Sequence, residues 1–144
     1  MTLEELPRWA RDLIASARVG RLGLLDEHDL PRVLPITFAL WEDAVWSAID
    51  QKPKRAAEPA RVRRLRRRPV AALLVDRYDD DWARLAWVEL RGTVSVLEIA
   101  QAPAALEALE SKYVQYRDET PPGPLVRLAV ENVALWRASE EDAP

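Results

Sequence analysis

Apolar residues near the start of the chain recur at helical spacing, and Thr2 and Glu5 at its beginning are spaced as a capping box. This pattern predicts a first helix over roughly residues 3–17. Further along, apolar or alternating runs bounded by polar turn residues predict six strands. These strands are expected at 19–25, 32–41, 44–50, 70–76, 85–97 and 125–137. Two more helices are predicted over 58–67 and 102–116, and the proline-rich residues 120–124 predict a rigid loop.

The order of these elements indicates a mainly β fold. Most connections between the predicted strands are too short for the crossover helix that parallel strands need. Six strands with hairpin links and peripheral helices favour a small closed or nearly closed β-barrel. Pro35 predicts an edge or a bulge because it cannot donate to a ladder, Gly92 predicts a bulge or bend, and Pro69 should end the helix before it. No repeat or linker divides the chain, so residues 1–144 are interpreted as one domain.

Composition excludes several kinds of chemistry. The chain has no cysteine, hence no disulfide, thiolate nucleophile or cysteine-type zinc site. Its one histidine, His28, stands in a polar turn, which disfavours a Ser/His/Asp hydrolase, and Asp79–Asp81 have the pattern of a hairpin turn more than of a metal loop. We therefore expect any enzymatic chemistry to come from a cofactor. No apolar run is long enough for a transmembrane helix and the first residues do not resemble a secretory signal, so a cytoplasmic protein is expected.

A cluster of cations follows the third predicted strand, in the order Lys52-Pro53-Lys54-Arg55. Such a cluster is unexpected in a chain of net charge −3. Proline stiffens the segment, and lysine and arginine are the side chains that bind phosphate. The pattern predicts a phosphate site, and the alternative interpretation is an exposed loop without a ligand.

The predicted helix over 58–67 and the residue after it are dense in arginine. The arginines stand at positions 61, 63, 64, 66, 67 and 68. Only Val62 and Leu65 remain to pack this helix against the protein. Three interpretations stay open: a solvated face whose arginines pair with Asp76 and Asp79–Asp81, a nucleic-acid patch, and an anion site that includes Arg61. The interpretation as a nucleic-acid patch is disfavoured because no aromatic residue alternates with the arginines and the net charge is negative.

Three segments together resemble the pyridoxamine 5′-phosphate oxidase-like split β-barrel family. They read PRVLPITFAL, VWSAIDQKPKR and RRLRRRPVAALLVDRYDDDWARLAWVELRG. The resemblance covers roughly residues 5–137 and is most specific for an actinobacterial branch of coenzyme F-420-dependent oxidoreductases. It implies a homodimer of six-stranded, FMN-binding-like split barrels with two cofactor sites at the interface.

The same resemblance implies which residues form the cofactor site. The strand that contains Pro35 would contact the flavin or deazaflavin ring through its backbone, at Arg32, Leu34, Pro35, Ile36 and Thr37. The end of the third predicted strand would continue that surface, at Ser47, Ala48 and Ile49. The phosphate would be held by Lys52, Lys54 and Arg55 around Pro53, and Trp87 would reach the site from the partner subunit. The chain departs from the family pattern at Arg68, where asparagine is usual, and in the abundance of arginine in the preceding helix.

The sequence therefore predicts an oxidoreductase that transfers hydride from reduced F-420 to an unidentified small organic substrate. The anionic tail of F-420 extends beyond its first phosphate, and Arg61 and Arg64 are expected to serve it. Three alternatives remain open: an FMN-dependent enzyme of the same fold, a cofactor carrier without turnover, and a barrel that binds nucleic acid through its arginine helix. Neither a catalytic residue nor a metal ligand can be named from the sequence.

Overall fold

The computed structural model describes residues 1–50 and 58–139. Its seven strands are β1 (Gly20–Leu25), β2 (Pro31–Ile36), β3 (Ala39–Trp41), β4 (Ala44–Ala48), β5 (Val70–Arg77), β6 (Ala86–Leu97) and β7 (Leu125–Arg137). The α-helices are α1 (Arg8–Ser16), α2 (Ala60–Arg67), α3 (Pro103–Lys112) and α4 (Val114–Asp118). Short 3₁₀ turns occupy Leu3–Glu5, Trp82–Arg84 and Ile99–Gln101.

All the strands belong to one antiparallel sheet with the order β2-β1-β5-β6-β7-β4-β3. The two edge strands, β2 and β3, follow each other in the chain and are separated only by Thr37 and Phe38. The sheet must therefore curl until its two edges meet at this break. The result is the predicted mainly β fold, a split barrel with a few peripheral helices.

The core fills the inside of the curled sheet. Phe38 is fully buried there, together with residues of β5 and β6 such as Leu73 and Leu90. Helix α1 places its apolar face over the same core. A second, smaller cluster packs α3 and Tyr113 against β3 and β4. These two clusters meet at the break between the edge strands.

Three predicted elements are interrupted in the structure. The expected strand over 32–41 is two strands, because at Phe38 the backbone amide and carbonyl bond to the Tyr113 hydroxyl, 3.1 and 3.2 Å away. The expected helix over 102–116 breaks at Tyr113, whose backbone is extended. The first helix begins only at Arg8, because Leu6 precedes Pro7 and takes the extended conformation that a following proline imposes.

The predictions made from Pro35, Pro69 and Gly92 are confirmed. Pro35 lies in an edge strand, and α2 ends at Arg67, two residues before Pro69. The register between β6 and β7 shifts at Gly92, leaving Glu131 as the extra residue of a bulge. A side chain at Gly92 would place its Cβ 1.8 Å from the Ala129 carbonyl oxygen, so the bulge requires glycine. In the described ranges, no helix has the length and apolar character to span a membrane.

Candidate functional site

A cavity of about 250 Å³ lies between β2, the residue after β4 and the start of α2. It brings together five residues that the sequence had singled out, namely Arg32, Leu34, Ile49, Arg61 and Arg64. These positions are spread over more than thirty residues of the chain. The cavity is therefore a product of the fold and the candidate site for a ligand.

Helix α2 turns two of its arginines, Arg61 and Arg64, toward this cavity because its few apolar residues fix its orientation. Val62 and Leu65 are fully buried, as the sequence predicted. Arg61 and Arg64 are three positions apart and so share one face of the helix. With the apolar stripe held against the core, this face borders the cavity beside Arg32 of β2.

The two arginines of α2 differ in their partners. Arg64 donates from Nε to Glu27 Oε2 at 3.0 Å, and this hydrogen bond holds the pKa of Glu27 below its usual range. Arg61 is partly buried and makes no hydrogen bond or ion pair with any residue in the ranges 1–50 and 58–139. A cation withdrawn from water without a counter-ion favours an anionic ligand. Of the two α2 arginines that line the cavity, Arg61 is therefore the one available to an anion.

Most other arginines of the segment are already paired. Arg66 contacts Glu58 at 2.7 Å, and this interaction lowers the pKa of Glu58. Arg67 and Arg68 both reach Asp29, at 3.2 and 2.8 Å. The arginine face is therefore a paired surface, which further disfavours the nucleic-acid interpretation.

The acids that pair with this face are not those expected from the sequence. Asp76 bonds instead to Arg21 at 3.6 Å and Asp79 to Arg84 at 3.0 Å. That part of the prediction is wrong, because β5 carries the Asp76–Asp81 region away from α2. Asp79 and Asp81 accept backbone hydrogen bonds within the β5–β6 connection, as expected of a turn. Among the described residues, no group of acids and histidines is placed to bind a metal ion.

The cation cluster that the sequence predicts to bind phosphate cannot be placed relative to the cavity. Lys52, Pro53, Lys54 and Arg55 lie outside the described residues, so their role stays a prediction. The nearest described cavity residues on either side of them in the chain are Ile49 and Pro59.

The remaining predicted site residues of β2, β4 and the residue after β2 do not line the cavity. Pro35 is exposed on β2 and Ile36 is buried in the core. The hydroxyl of Ser47 donates to the Thr37 carbonyl at 2.8 Å, and Ala48 packs in the small cluster beneath α3. The hydrogen bond between Ser47 and Thr37 ties β4 to the residue that follows β2.

Trp87 occupies a different part of the surface. It lies on the outer face of β6, directly opposite Trp136 of β7, and does not line the cavity of its own chain. Its contribution to a partner's site, which the family resemblance implies, stays a prediction.

Two tyrosines, Tyr113 between α3 and α4 and Tyr116 in α4, contact the residues that follow β2 and were not predicted. Tyr116 contacts Thr37 Oγ1 at 2.6 Å and Asp50 Oδ2 at 3.2 Å, while Tyr113 bonds to Phe38. Burial raises the pKa of both phenols, so they remain protonated donors at neutral pH. The only signal in the sequence was two tyrosines three positions apart on a predicted helix.

The cavity adjoins a broader groove on the outer face of the sheet. This groove has a volume of about 500 Å³ and shares Leu24, Arg32 and Val33 with the cavity. Its floor is built from small residues, Gly23, Ala72 and Gly92. The site therefore continues onto an open and mostly apolar surface.

Comparisons with known proteins agree with this fold. Residues 6–137 match the family model described as pyridoxamine 5′-phosphate oxidase. No curated protein matches the chain. Among solved structures, a conserved hypothetical protein from Mycobacterium tuberculosis has a TM-score of 0.75 at 17% identity, with 92% of this chain and 86% of that chain covered.

Two other similar structures carry functional names. One is called an F420 reductase, with a TM-score of 0.65, 17% identity, and 90% of this chain and 98% of that chain covered. The other is a heme binding protein from Mycobacterium smegmatis, with a TM-score of 0.73, 20% identity, and 92% of this chain and 54% of that chain covered. At these identities the similarity shows the fold alone.

Proposed function

Because the chain belongs to the pyridoxamine 5′-phosphate oxidase family, we propose that it is an oxidoreductase that uses reduced coenzyme F-420. In this proposal the cofactor supplies hydride to a small organic substrate. The protein binds the anionic part of the cofactor, orients its ring and excludes water.

The observation that carries this proposal is the state of Arg61. It borders the cavity with Arg32 and has no partner among the described residues. The residues present thus fit a ligand that carries a phosphate or carboxylate. Beside them, β2 is an edge strand, so its outer side offers backbone N–H and C=O groups to a planar heterocycle.

The choice of F-420 over FMN rests on the extent of positive charge. The tail of F-420 carries anionic groups beyond its first phosphate, whereas FMN ends at its phosphate. Arg61 and Arg64 place positive charge along α2 beside the cavity, and a longer anionic tail requires such charge. The pairing of Arg64 with Glu27 removes part of this charge and is the observation that favours FMN as the alternative.

A carrier without turnover is the second alternative, and the composition of the cavity wall supports it. Among the described residues that line the cavity, the ionisable groups are all arginines. Arginine stays protonated throughout the physiological range and is a poor general acid or base. A proton for the reaction would then have to come from solvent, from the substrate or from residues elsewhere.

Heme is less consistent with this chain, although one similar structure is named for it. The chain offers a single histidine as an axial ligand. His28 is exposed in the turn between β1 and β2, and it lines neither the cavity nor the adjoining groove. We therefore do not extend heme binding to this protein.

The test is a titration of the purified protein with F-420 and with FMN, followed by assay of reduced F-420 oxidation. We expect tighter binding of F-420, and a loss of affinity of roughly ten-fold or more in Arg61→Ala, as for the loss of a charge-assisted hydrogen bond. Arg8→Ala is the matched control, because Arg8 is an exposed arginine of α1 that pairs with Asp12. Tighter binding of FMN would replace F-420 by the alternative, and binding without turnover would favour the carrier.

A further inference from the structure

Lys112 is a partly buried amine that the proposed function does not use. It is the last residue of α3. Its Nζ lies 3.8 Å from the centre of the Phe38 ring and donates a long hydrogen bond to the Ile14 carbonyl, at 3.4 Å. An ammonium carries three donors, and this is the one hydrogen bond that the Lys112 amine makes within residues 1–50 and 58–139. The charged form of the amine is therefore poorly compensated.

A second cation, Arg18, lies beside this amine. Its Nη2 donates to the Lys112 carbonyl at 2.9 Å. Both cations contact the Tyr113 ring, whose centre is 4.8 Å from Cζ of Arg18 and 5.5 Å from Nζ of Lys112. In the part of the chain that the structure describes, neither cation forms an ion pair with a carboxylate. The site thus holds two positive charges and no paired negative charge.

These surroundings favour the neutral, nucleophilic form of Lys112. Burial lowers the pKa of Lys112 to about 8, and the charge of Arg18 adds to the effect. Tyr113 is the other titratable group that faces the amine, and burial raises its pKa, so it contributes no negative charge near neutral pH. A desolvated lysine amine of this kind is a nucleophile under conditions in which an exposed lysine is almost entirely protonated.

We propose that Lys112 is a site of reversible modification by carbon dioxide, which converts its amine to a carbamate that pairs with Arg18. The lone pair of neutral Nζ forms a bond to the carbon of CO₂, one C=O π pair moves onto oxygen, and one N–H proton passes to water. Nothing is oxidised or reduced. The product keeps one N–H for the Ile14 carbonyl, and its new carboxylate supplies the negative charge that the site lacks.

The surroundings of the amine favour CO₂ over larger acyl donors. Carbon dioxide is small and uncharged, so it can reach an amine that is partly buried. An acyl group would leave a neutral amide, and Arg18 would remain without a counter-ion. The inference is independent of the proposed cofactor, because neither Lys112 nor Arg18 lines the cavity or the adjoining groove.

The first test locates the adduct. The folded protein is equilibrated with ¹³C-labelled CO₂ and bicarbonate at about pH 8, the carbamate is trapped by alkylation with a trialkyloxonium salt, and the peptides are identified by mass spectrometry. We expect labelled adduct on the peptide that contains Lys112. The amino terminus also reacts with CO₂ and is the internal positive control. Lys112→Arg keeps the positive charge but has no amine, so it should lose one carbamate resonance in the ¹³C spectrum.

A second variant tests the pairing with Arg18. Arg18→Gln keeps an N–H donor for the Lys112 carbonyl but removes the guanidinium charge. We expect the occupancy of the carbamate at Lys112 to fall by a few-fold at the same concentration of CO₂. Arg8→Gln is the matched control, because Arg8 is an exposed arginine of α1 that pairs with Asp12. It should leave the occupancy unchanged.

Thermal unfolding gives an independent readout. A ligand that modifies only the folded state raises the midpoint of unfolding with its concentration. At fixed pH and ionic strength, added CO₂ should therefore raise the midpoint of the wild-type protein and not that of Lys112→Arg. Absence of an adduct at Lys112 in the folded wild-type protein overturns the inference, and equal occupancy in folded Arg18→Gln overturns the pairing. If Lys112→Arg does not fold, the peptide adduct in the wild-type protein decides.

Discussion

The hydroxyl of Tyr113 lies within hydrogen-bond distance of both the backbone nitrogen and the carbonyl oxygen of Phe38, a residue 75 positions earlier in the chain. It also lies 2.8 Å from the Arg18 carbonyl. One side chain therefore replaces the strand partners that Phe38 lacks at the break between β2 and β3. The two open edges of the barrel are held at this point by a residue of the α3–α4 junction.

Removal of this hydroxyl should destabilise the fold. Tyr113→Phe leaves the buried amide of Phe38 without its acceptor, and we expect a loss of about 1–3 kcal/mol in the free energy of unfolding. Chemical denaturation measures the change. Tyr78→Phe is the control, because Tyr78 is exposed on the surface and its replacement should have little effect. Equal stability of the two variants would contradict the role of Tyr113.

Gly92→Ala should be among the most disruptive small substitutions in the protein. Its Cβ would overlap the Ala129 carbonyl oxygen at 1.8 Å, which forces β6 and β7 apart. We expect a loss of about 2–3 kcal/mol or more in unfolding free energy. Gly23→Ala is the matched control within the same sheet, since a Cβ there would lie at an ordinary 3.7 Å from the Ala72 carbonyl oxygen. A comparable loss in both variants would contradict the specific role of the bulge.

Lys112 should make stability depend on pH. Its ammonium lies 3.8 Å from the centre of the Phe38 ring, and burial lowers the pKa of Lys112 to about 8, with a smaller contribution from Arg18. Because the pKa in the folded state is below the ordinary value of 10.5, the unfolded state binds more protons between these two values. Stability should therefore rise with pH across this window.

The measurement is urea denaturation of the wild-type protein and of Lys112→Met at about pH 7 and at about pH 9.5. The wild type should gain stability over this interval, and the variant should not. Burial raises the pKa of Tyr113 and Tyr116, so these phenols lower stability as the pH rises. They do so only near and above the ordinary pKa of tyrosine. A rise of equal size in Lys112→Met would assign the effect to another group.

The ion pair between Arg64 and Glu27 should influence the preference for F-420 over FMN. Glu27→Gln removes the charge that pairs with Arg64, so the positive surface of α2 becomes stronger. We expect F-420 affinity to increase by a few-fold and FMN affinity to change less, because in the proposed arrangement only the longer tail would reach Arg64. Raised salt should reduce the difference, since exposed charges are screened over about 8–10 Å.

Reversal of charge at both Arg61 and Arg64 should have the opposite effect and should weaken F-420 binding more than FMN binding. Fluorescence titration with each cofactor gives the affinities. Equal changes for the two cofactors would contradict the assignment of the tail to α2.

The outer face of the sheet is expected to be covered by a second copy of the chain. Val33 is 71% exposed, and Val70 and Leu74 are also open to solvent although they are apolar. Apolar surface of this kind in a small barrel is typical of a symmetric interface. Light scattering should give twice the 16.4 kDa mass of one chain, and Val33→Glu with Leu74→Glu should shift the protein toward monomer. A wild-type monomer at micromolar concentration would contradict the dimer.

Local chemistry in the sequence predicted much of the fold. The strands β5, β6 and β7 follow from apolar runs, the orientation of α2 from Val62 and Leu65, and the edge position of β2 from Pro35. The break at Phe38 could not be predicted, because the donor that ends the strand lies on Tyr113, far along the chain. A rule about spacing cannot identify a partner that only the tertiary fold brings near.

The sequence identified several residues that line the cavity, but it did not identify the ion pairs between them and their neighbours. The family resemblance named Arg32 and Ile49, and the arginine-dense pattern named Arg61. The structure gathers all three around one cavity, and their role in binding a cofactor stays a prediction. The pairing of Arg64 with Glu27 and of Arg67 with Asp29 was missed. Those acids stand in the β1–β2 turn, and only the packing of α2 over that turn makes them neighbours.

The pair formed by Trp87 and Trp136 also provides an internal optical reporter. The two indoles stand on directly opposed positions of β6 and β7, and each is roughly two-fifths exposed to water. Indole emission shifts to shorter wavelength when water is removed from the ring. Association of two sheets over this face would therefore be visible in the intrinsic fluorescence of the protein, without any attached dye. Replacement of each tryptophan by phenylalanine would show how much of the signal comes from this face and how much from the other four indoles.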